Sequence, residues 1–210
     1  MENTNSYEHP VTVFVVDDDP SVLESLAMLM RSAKYIVETF SRPTLFLEKY
    51  DGNLPGCLVL DVRMPEMSGL ELQEKLNEMD IDIPIVFITG HATVPMAVRA
   101  TQRGAVDFLE KPFTDETLLD CVQRAIAIDA ENRKTREKYA AVDARLGGLT
   151  VRERQVVELV VDGKNSREVA EALGLSEKTI SHYRARIMLK LQVDTVADLV
   201  RTVVSAGVRA

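Results

Sequence analysis

Five short apolar runs, each ending at a polar or charged residue and each followed by a stretch with helical spacing, fix most of what the front of this chain can fold into. The runs are 11–16 (VTVFVV), 36–40 (IVETF), 57–60 (CLVL), 85–88 (IVFI) and 106–109 (VDFL). The run 57–60, apolar throughout and bounded by turn formers, suits a strand covered on both faces of a parallel sheet. Pro20 opens a stretch with Val22, Leu23, Leu26, Leu29 and Met30 at helical spacing, directly after an acidic turn. Proline is welcome there, because the first helical N–H lacks a partner in any case. Helical patterns recur at about 43–50, 70–79 and 93–103, and again from Thr114 through Leu118, Leu119, Val122 and Ile126. Strand and helix alternating five times predict an α/β domain, a doubly wound five-stranded parallel sheet with helices on both faces.

In such a sheet the carboxyl ends of the strands converge on one crevice, and the residues there decide the chemistry. The first strand ends in Asp17 and Asp18, the third in Asp61, the fourth in Thr89 and the fifth in Lys111. Pro65 and the pair Ser68-Gly69 mark a loop after Asp61, which leaves that carboxylate at the bottom of the crevice. Asp19 reads as the cap of the following helix. Three carboxylates in one crevice repel unless a cation is present, and hard oxygen ligands with room for water suit Mg2+. A lysine and a hydroxyl beside them add a fixed positive charge and a donor for phosphate oxygens. Carboxylate nucleophile, metal, cationic clamp and donor together are the parts of phosphoryl transfer.

The chain has 210 residues, 46% of them apolar, enough for two ordinary domains. Charge divides them: residues 1–148 carry 15 Lys+Arg against 25 Asp+Glu, net -10, whereas 149–210 carry 10 against 8, net +2. Modules so different in charge are expected to meet different partners. The expected organisation is a polar tail over 1–10, the α/β domain over 11–128, a linker over 129–148 and a second domain over 149–210. The linker is almost wholly charged or polar between 129 and 138 and reads equally as an exposed helical extension or a flexible tether. Two cysteines without metal-like spacing suit a reducing compartment, and no apolar run approaches membrane-spanning length, so a soluble cytoplasmic protein with no membrane partner is expected.

The second domain opens LTVRERQVVELV, in which Thr150 and Glu153 have capping-box spacing ahead of an amphipathic helix stopped by Gly163. Asn165 or Ser166 caps a second helix that ends at Gly174. Ser176 starts a third, expected over 177–191, and a fourth spans about 196–204. Two short helices joined by Gly174-Leu175-Ser176 have the helix-turn-helix pattern, whose second helix enters the major groove of double-stranded DNA. On that helix Ile180, Tyr183, Ile187 and Leu191 share one face, which is predicted to be buried. The opposite face carries Lys178, His182, Ala185 and Leu189, flanked by Thr179, Ser181 and Arg186. Glu177 against Lys178, Arg184, Arg186 and Lys190 leaves the helix at +3 in an acidic chain, an electrostatic footprint for phosphates.

These residues resemble those of a known family. From Val11 to about Ile128 the chain resembles the CheY-like receiver of two-component response regulators, and with LTVRERQVVELV, EVAEALGLSEKTI and RARIMLKLQV behind it the whole is similar to the FixJ/NarL type with a LuxR-type output domain of four helices. The resemblance implies that Asp61 is the phosphoacceptor, that Asp17, Asp18, Asp61 and the backbone carbonyl of Arg63 bind Mg2+, and that Thr89, Phe108 and Lys111 are the switch residues, with a cis bond before Pro112. It also implies that Arg63 and His91 sit where similar receivers tune the lifetime of the phosphoryl group. The implied partners are a sensor histidine kinase, double-stranded DNA and, when phosphorylated, a second copy of the chain. Lys178, Thr179, Ser181, His182, Arg184, Arg186 and Lys190 are the implied DNA-binding set. Within it Lys178 and Arg186 look like phosphate contacts and His182 a groove-facing reader. The chain departs from the family's TVKxH pattern by having Ser181 and Tyr183 there, which weakens a carried-over base contact at Ser181.

Other readings remain open at this level. A phosphatase or phosphotransferase would use Asp61 as its nucleophile, but Val62 and Arg63 follow it, so the Asp-x-Asp spacing that supplies a general acid is lacking. The resemblance implies no enzyme beyond the receiver's own phosphoryl transfer and dephosphorylation. A metal-binding or signalling scaffold leaves the basic helix unexplained. A DNA-binding regulator controlled without phosphorylation is the hardest to separate from the phosphorylated one.

Overall fold

The computed structural model describes residues 11–205, so the expected tail over 1–10 lies outside the described residues. These divide into two compact units, the boundary falling between Asn132 and Arg133.

The first unit is built on five parallel strands, β1 (Thr12–Val16), β2 (Ile36–Phe40), β3 (Gly56–Asp61), β4 (Ile85–Thr89) and β5 (Asp107–Glu110), in the order β2-β1-β3-β4-β5. Each apolar run becomes a strand because alternate residues find cover on opposite faces. Phe14, Val16, Leu58, Leu60 and Phe87 meet the helices α2 (Pro43–Lys49), α3 (Gly69–Glu78) and α4 (Val94–Gln102). Val13, Val15, Cys57, Val59, Val86 and Ile88 meet α1 (Pro20–Ser32) and α5 (Asp115–Gly147). The central strands β1, β3 and β4 are buried along their whole length, while β2 and β5, at the edges, are only partly covered. Asp19 caps α1 by accepting the Ser21 N–H at 2.8 Å.

Helix α5 runs for 33 residues, so the charged segment after 128 is helical. Its junction with the sheet is specific. Asp129 is fully buried, and its Oδ2 accepts the N–H of Gly56, the first residue of β3, at 2.9 Å. One turn later Asn132 donates to Asp82 at 3.0 Å. Gly56 is needed at the start of β3 because it holds φ 154°, and a Cβ there would lie 1.7 Å from the Thr12 carbonyl oxygen.

In the second unit Leu146 and Leu149 pack with α6 (Val151–Val161), α7 (Ser166–Leu173), α8 (Glu177–Leu191) and α9 (Val196–Ser205) around one core. Thr150 and Glu153 form the expected capping box, Asn165 caps α7 and Ser176 caps α8.

Candidate phosphoacceptor crevice and nucleic-acid interface

The first site forms because β1, β3, β4 and β5 end side by side. Asp17 follows β1 and Asp61 closes β3; both are buried, and both carboxylates accept from one ammonium, Lys111 Nζ, at 2.9 and 2.8 Å. Lys111 reaches them from the end of β5, where its N–H donates to the Thr89 carbonyl at 2.7 Å and the bond to Pro112 is cis, as expected. The other oxygen of Asp61 accepts the Arg63 N–H at 2.6 Å, and the second oxygen of Asp17 accepts the Asp19 N–H at 2.9 Å. Each carboxylate is thus aimed by a backbone N–H two residues on. Gly69, the first residue of α3, lets that helix begin against β3, since a Cβ there would stand 2.2 Å from the Asp61 carbonyl oxygen.

Burial pushes the Asp17 carboxyl above its ordinary value; the Lys111 and Asp19 hydrogen bonds work against this, and the nearby charge of Asp61 adds to it. Burial alone would lower the Lys111 ammonium, but the hydrogen bonds and charges of Asp17 and Asp61 outweigh it, and Lys111 holds its proton more tightly than an ordinary lysine. This is a crevice short of positive charge, with one cation serving two buried anions.

Asp18 is exposed, and among the described residues no group of three or more His, Cys, Asp or Glu side chains is arranged to hold a metal. The donor chemistry nevertheless fits magnesium, which takes one or two carboxylates and completes its shell with water and phosphate oxygens. Thr89 is buried at the end of β4, with Oγ1 accepting the His91 N–H at 3.3 Å. Phe108 is half-buried on β5, its ring 5.9 Å from that of Phe87. Arg63 and His91 are exposed.

The second site is helix α8. Ile180, Ile187 and Leu191 are buried as the spacing predicts, and Tyr183 is partly buried. Lys178, Ser181, His182, Ala185 and Arg186 are exposed, and Thr179 is half-exposed. Leu189 is 80% exposed. Two positions of the expected DNA-binding set face inward. Arg184 donates to Ser166 Oγ on α7 at 2.6 Å. Lys190 donates to Glu153 Oε2 at 2.6 Å and to the Gly148 carbonyl at 3.2 Å. Glu153 is buried, and its carboxyl is held down at about 2, first by the Lys190 hydrogen bond and then by the Thr150 N–H. Sequence reasoning found Glu153 only as a capping-box partner, because its link to a lysine 37 positions away exists only once α6 and α8 cross.

Residues 13–123 match the response regulator receiver domain, and residues 148–203 match the luxR family of bacterial regulatory proteins. The chain is 42% identical to the response regulator protein TodT of Pseudomonas putida over 189 residues, 90% of this chain and 83% of that protein. It is 41% identical to the transcriptional regulatory protein FixJ of Azorhizobium caulinodans over 199 residues, 93% of each. Among solved structures, the response regulator StyR aligns with a TM-score of 0.80 at 47% identity, covering 93% of this chain and 98% of that one. The aligned sheet, the acidic crevice and the helix-turn-helix all lead to one assignment: the chain belongs to the two-component response regulators of the FixJ type, in which a receiver joined to a LuxR-family DNA-binding domain makes a phosphorylation-activated regulator of transcription.

Proposed function

We propose that Asp61 is the residue phosphorylated, that Lys111 and Thr89 read the modification, and that α8 is the element that enters DNA. The single observation that carries the first part is the shared ammonium: Lys111 already bridges Asp17 and Asp61, so a phosphoryl group added to Asp61 meets a cation in place. An oxygen of the Asp61 carboxylate attacks the phosphorus of a phosphohistidine on the partner kinase in line. The P–O bond to Asp61 forms as the P–N bond breaks, and the imidazole nitrogen leaves. A magnesium ion held by Asp17, Asp18, Asp61 and the Arg63 carbonyl would supply positive charge opposite the phosphoryl oxygens.

Lys111 then shares its protons with the new oxygens, and the Thr89 hydroxyl exchanges its present bond from the His91 N–H for one to the phosphoryl group. Moving Thr89 inward vacates space for the Phe108 ring to turn off Phe87, which reshapes the surface of α4, β5 and α5. Only groups that bond differently in the two states can bias them, so Thr89 and Lys111 set the switch. Its output is assembly of two copies on paired half-sites, because one small module holds DNA weakly.

On α8 the readings are Lys178 and Arg186 for phosphates, His182 for base edges, and Thr179 and Ser181 as flanking contacts. Arg184 and Lys190 fall out of the set, being held by Ser166 and Glu153. The chain is not an enzyme beyond its own phosphoryl transfer and dephosphorylation. A cytoplasmic setting is supported by two buried free cysteines and by the lack, among the described residues, of any helix long and apolar enough to cross a membrane.

The test is sedimentation of the full chain with and without beryllofluoride and magnesium, wild type beside Asp61→Ala, followed by binding to pooled genomic DNA fragments. Dimerisation and gain of DNA affinity in the wild type alone support the reading. DNA binding that ignores both beryllofluoride and the substitution would replace it with control independent of phosphorylation.

A further inference from the structure

Among the described residues of the DNA-binding unit the one buried carboxylate is Glu153, and the cations that face it stand on α8. Glu153 sits in the first turn of α6 with its side chain 1% exposed. Oε2 accepts from the Thr150 N–H at 2.8 Å, from the Thr150 hydroxyl at 3.0 Å and from Lys190 Nζ at 2.6 Å. Oε1 is buried with no hydrogen bond, and the cation beside it is Arg186, whose Nε lies 3.7 Å away on a side chain that is 65% exposed. A capping box needs only one oxygen of its acidic member, and glutamine serves equally well. Capping therefore does not explain why the group is an anion, why it is buried, or why it faces two cations four residues apart on α8.

Elementary electrostatics supplies a reason. Every cation free to reach a phosphate raises affinity for all DNA alike, and only base contacts discriminate. A recognition helix at +3 with every positive side chain loose would bind any duplex. The geometry points to Glu153 as a positioning residue that withdraws Lys190 from the DNA backbone and holds Arg186 at one place on α8, so that sequence-independent attraction to DNA is limited. This rests on the reading of α8 as the DNA-entering helix. Glu153 itself, buried under α8, touches no DNA.

The experiment uses the full chain with beryllofluoride and magnesium, and two duplex probes: the tightest binder selected from a randomised pool, and a scrambled duplex of the same length and composition. Binding is measured across a salt series for wild type, Glu153→Gln and Lys190→Gln. Glutamine keeps the cap but not the charge. Glu153→Gln is expected to bind both duplexes more tightly, with log K against log salt steeper by about 1 to 2, at about 0.9 per added phosphate contact. The gain is about tenfold for each added phosphate contact over a tenfold drop in salt and falls equally on both duplexes, so the preference between them stays as in the wild type. Lys190→Gln is expected to keep the wild-type salt slope, because that lysine is already withdrawn, and this arm holds even if Glu153→Gln does not fold. Equal loss on both duplexes at an unchanged slope would mean that Glu153 only props up the helices, and the inference falls. A shallower slope for Lys190→Gln would put Lys190 on a phosphate and also overturn it. If Lys178→Ala leaves binding to both duplexes as in the wild type, the reading of α8 as the DNA-entering helix fails with it.

Discussion

Gly69→Ala tests whether the close seating of α3 against β3 is what aims Asp61. The added methyl carbon would stand 2.2 Å from the Asp61 carbonyl oxygen and 3.0 Å from Leu60 Cγ. Non-bonded heavy atoms settle at about 3.5 Å, so α3 or the end of β3 has to retreat by about 1 Å. Retreat is resisted, because the Gly69 N–H donates to the Val62 carbonyl at 3.0 Å and Ser68 and Glu71 close a capping box over the same turn. Overpacking of this kind costs about 1–3 kcal/mol. For a receiver-sized domain that lowers Tm by about 5–12 °C. A displacement of about 1 Å at the nucleophile reduces the rate of an in-line attack by about a hundredfold. The assay pairs thermal unfolding with phosphorylation of the full chain by acetyl phosphate and magnesium, followed on a phosphate-affinity gel. Gly147→Ala is the control, since a Cβ there meets nothing within 4 Å. A Gly69→Ala protein that melts and is phosphorylated like the wild type would refute the argument that this contact sets the geometry of Asp61.

Four further outcomes are expected. Because burial raises the Asp17 carboxyl, its ionised form costs the folded state at neutral pH; Asp17→Asn should raise stability by about 1 kcal/mol while abolishing phosphorylation, and a lower Tm would contradict this. Glu153 is depressed from 4.5 to about 2, so its contribution to stability is complete above about 4.5 and is lost as pH falls toward about 2. Melting curves of Lys190→Met over that window should show a smaller acid loss than the wild type, and identical curves would count against the pairing. Asp129→Ala strands the buried Gly56 N–H and should cost about 1–3 kcal/mol in urea unfolding; an unshifted midpoint would show that the bond adds nothing. Lys178→Ala should weaken binding to every duplex and reduce the salt slope by about 1, whereas His182→Ala should change which sequences are preferred; uniform loss from both would remove the division between phosphate and base contacts.

What could be read from the residues in order was whatever depends on local pattern. Apolar runs such as 11–16 and 57–60 specify strands covered on both sides, and residues standing at strand ends must meet in a parallel sheet, so Asp17, Asp61, Thr89 and Lys111 were legible although they lie far apart along the chain. Capping signals at Thr150, Asn165 and Ser176 are equally local and reappear as hydrogen bonds. The spacing that put Ile180, Ile187 and Leu191 on one face and His182 on the other required only the helical period.

Tertiary structure alone decided how charged side chains were used. Lys190 and Arg184 have the same composition signal as Lys178, yet the crossing of α6, α7 and α8 turns two of them inward to Glu153 and Ser166 and leaves the third in solvent. Likewise nothing in the charged run after 128 announced that Asp129 would be buried and accept the Gly56 N–H, 73 positions away. Hydrophobic period fixes which face of an element is buried, because burial scales with area and has no direction. An ion pair depends on where two particular atoms arrive, and that is settled only when the helices have packed.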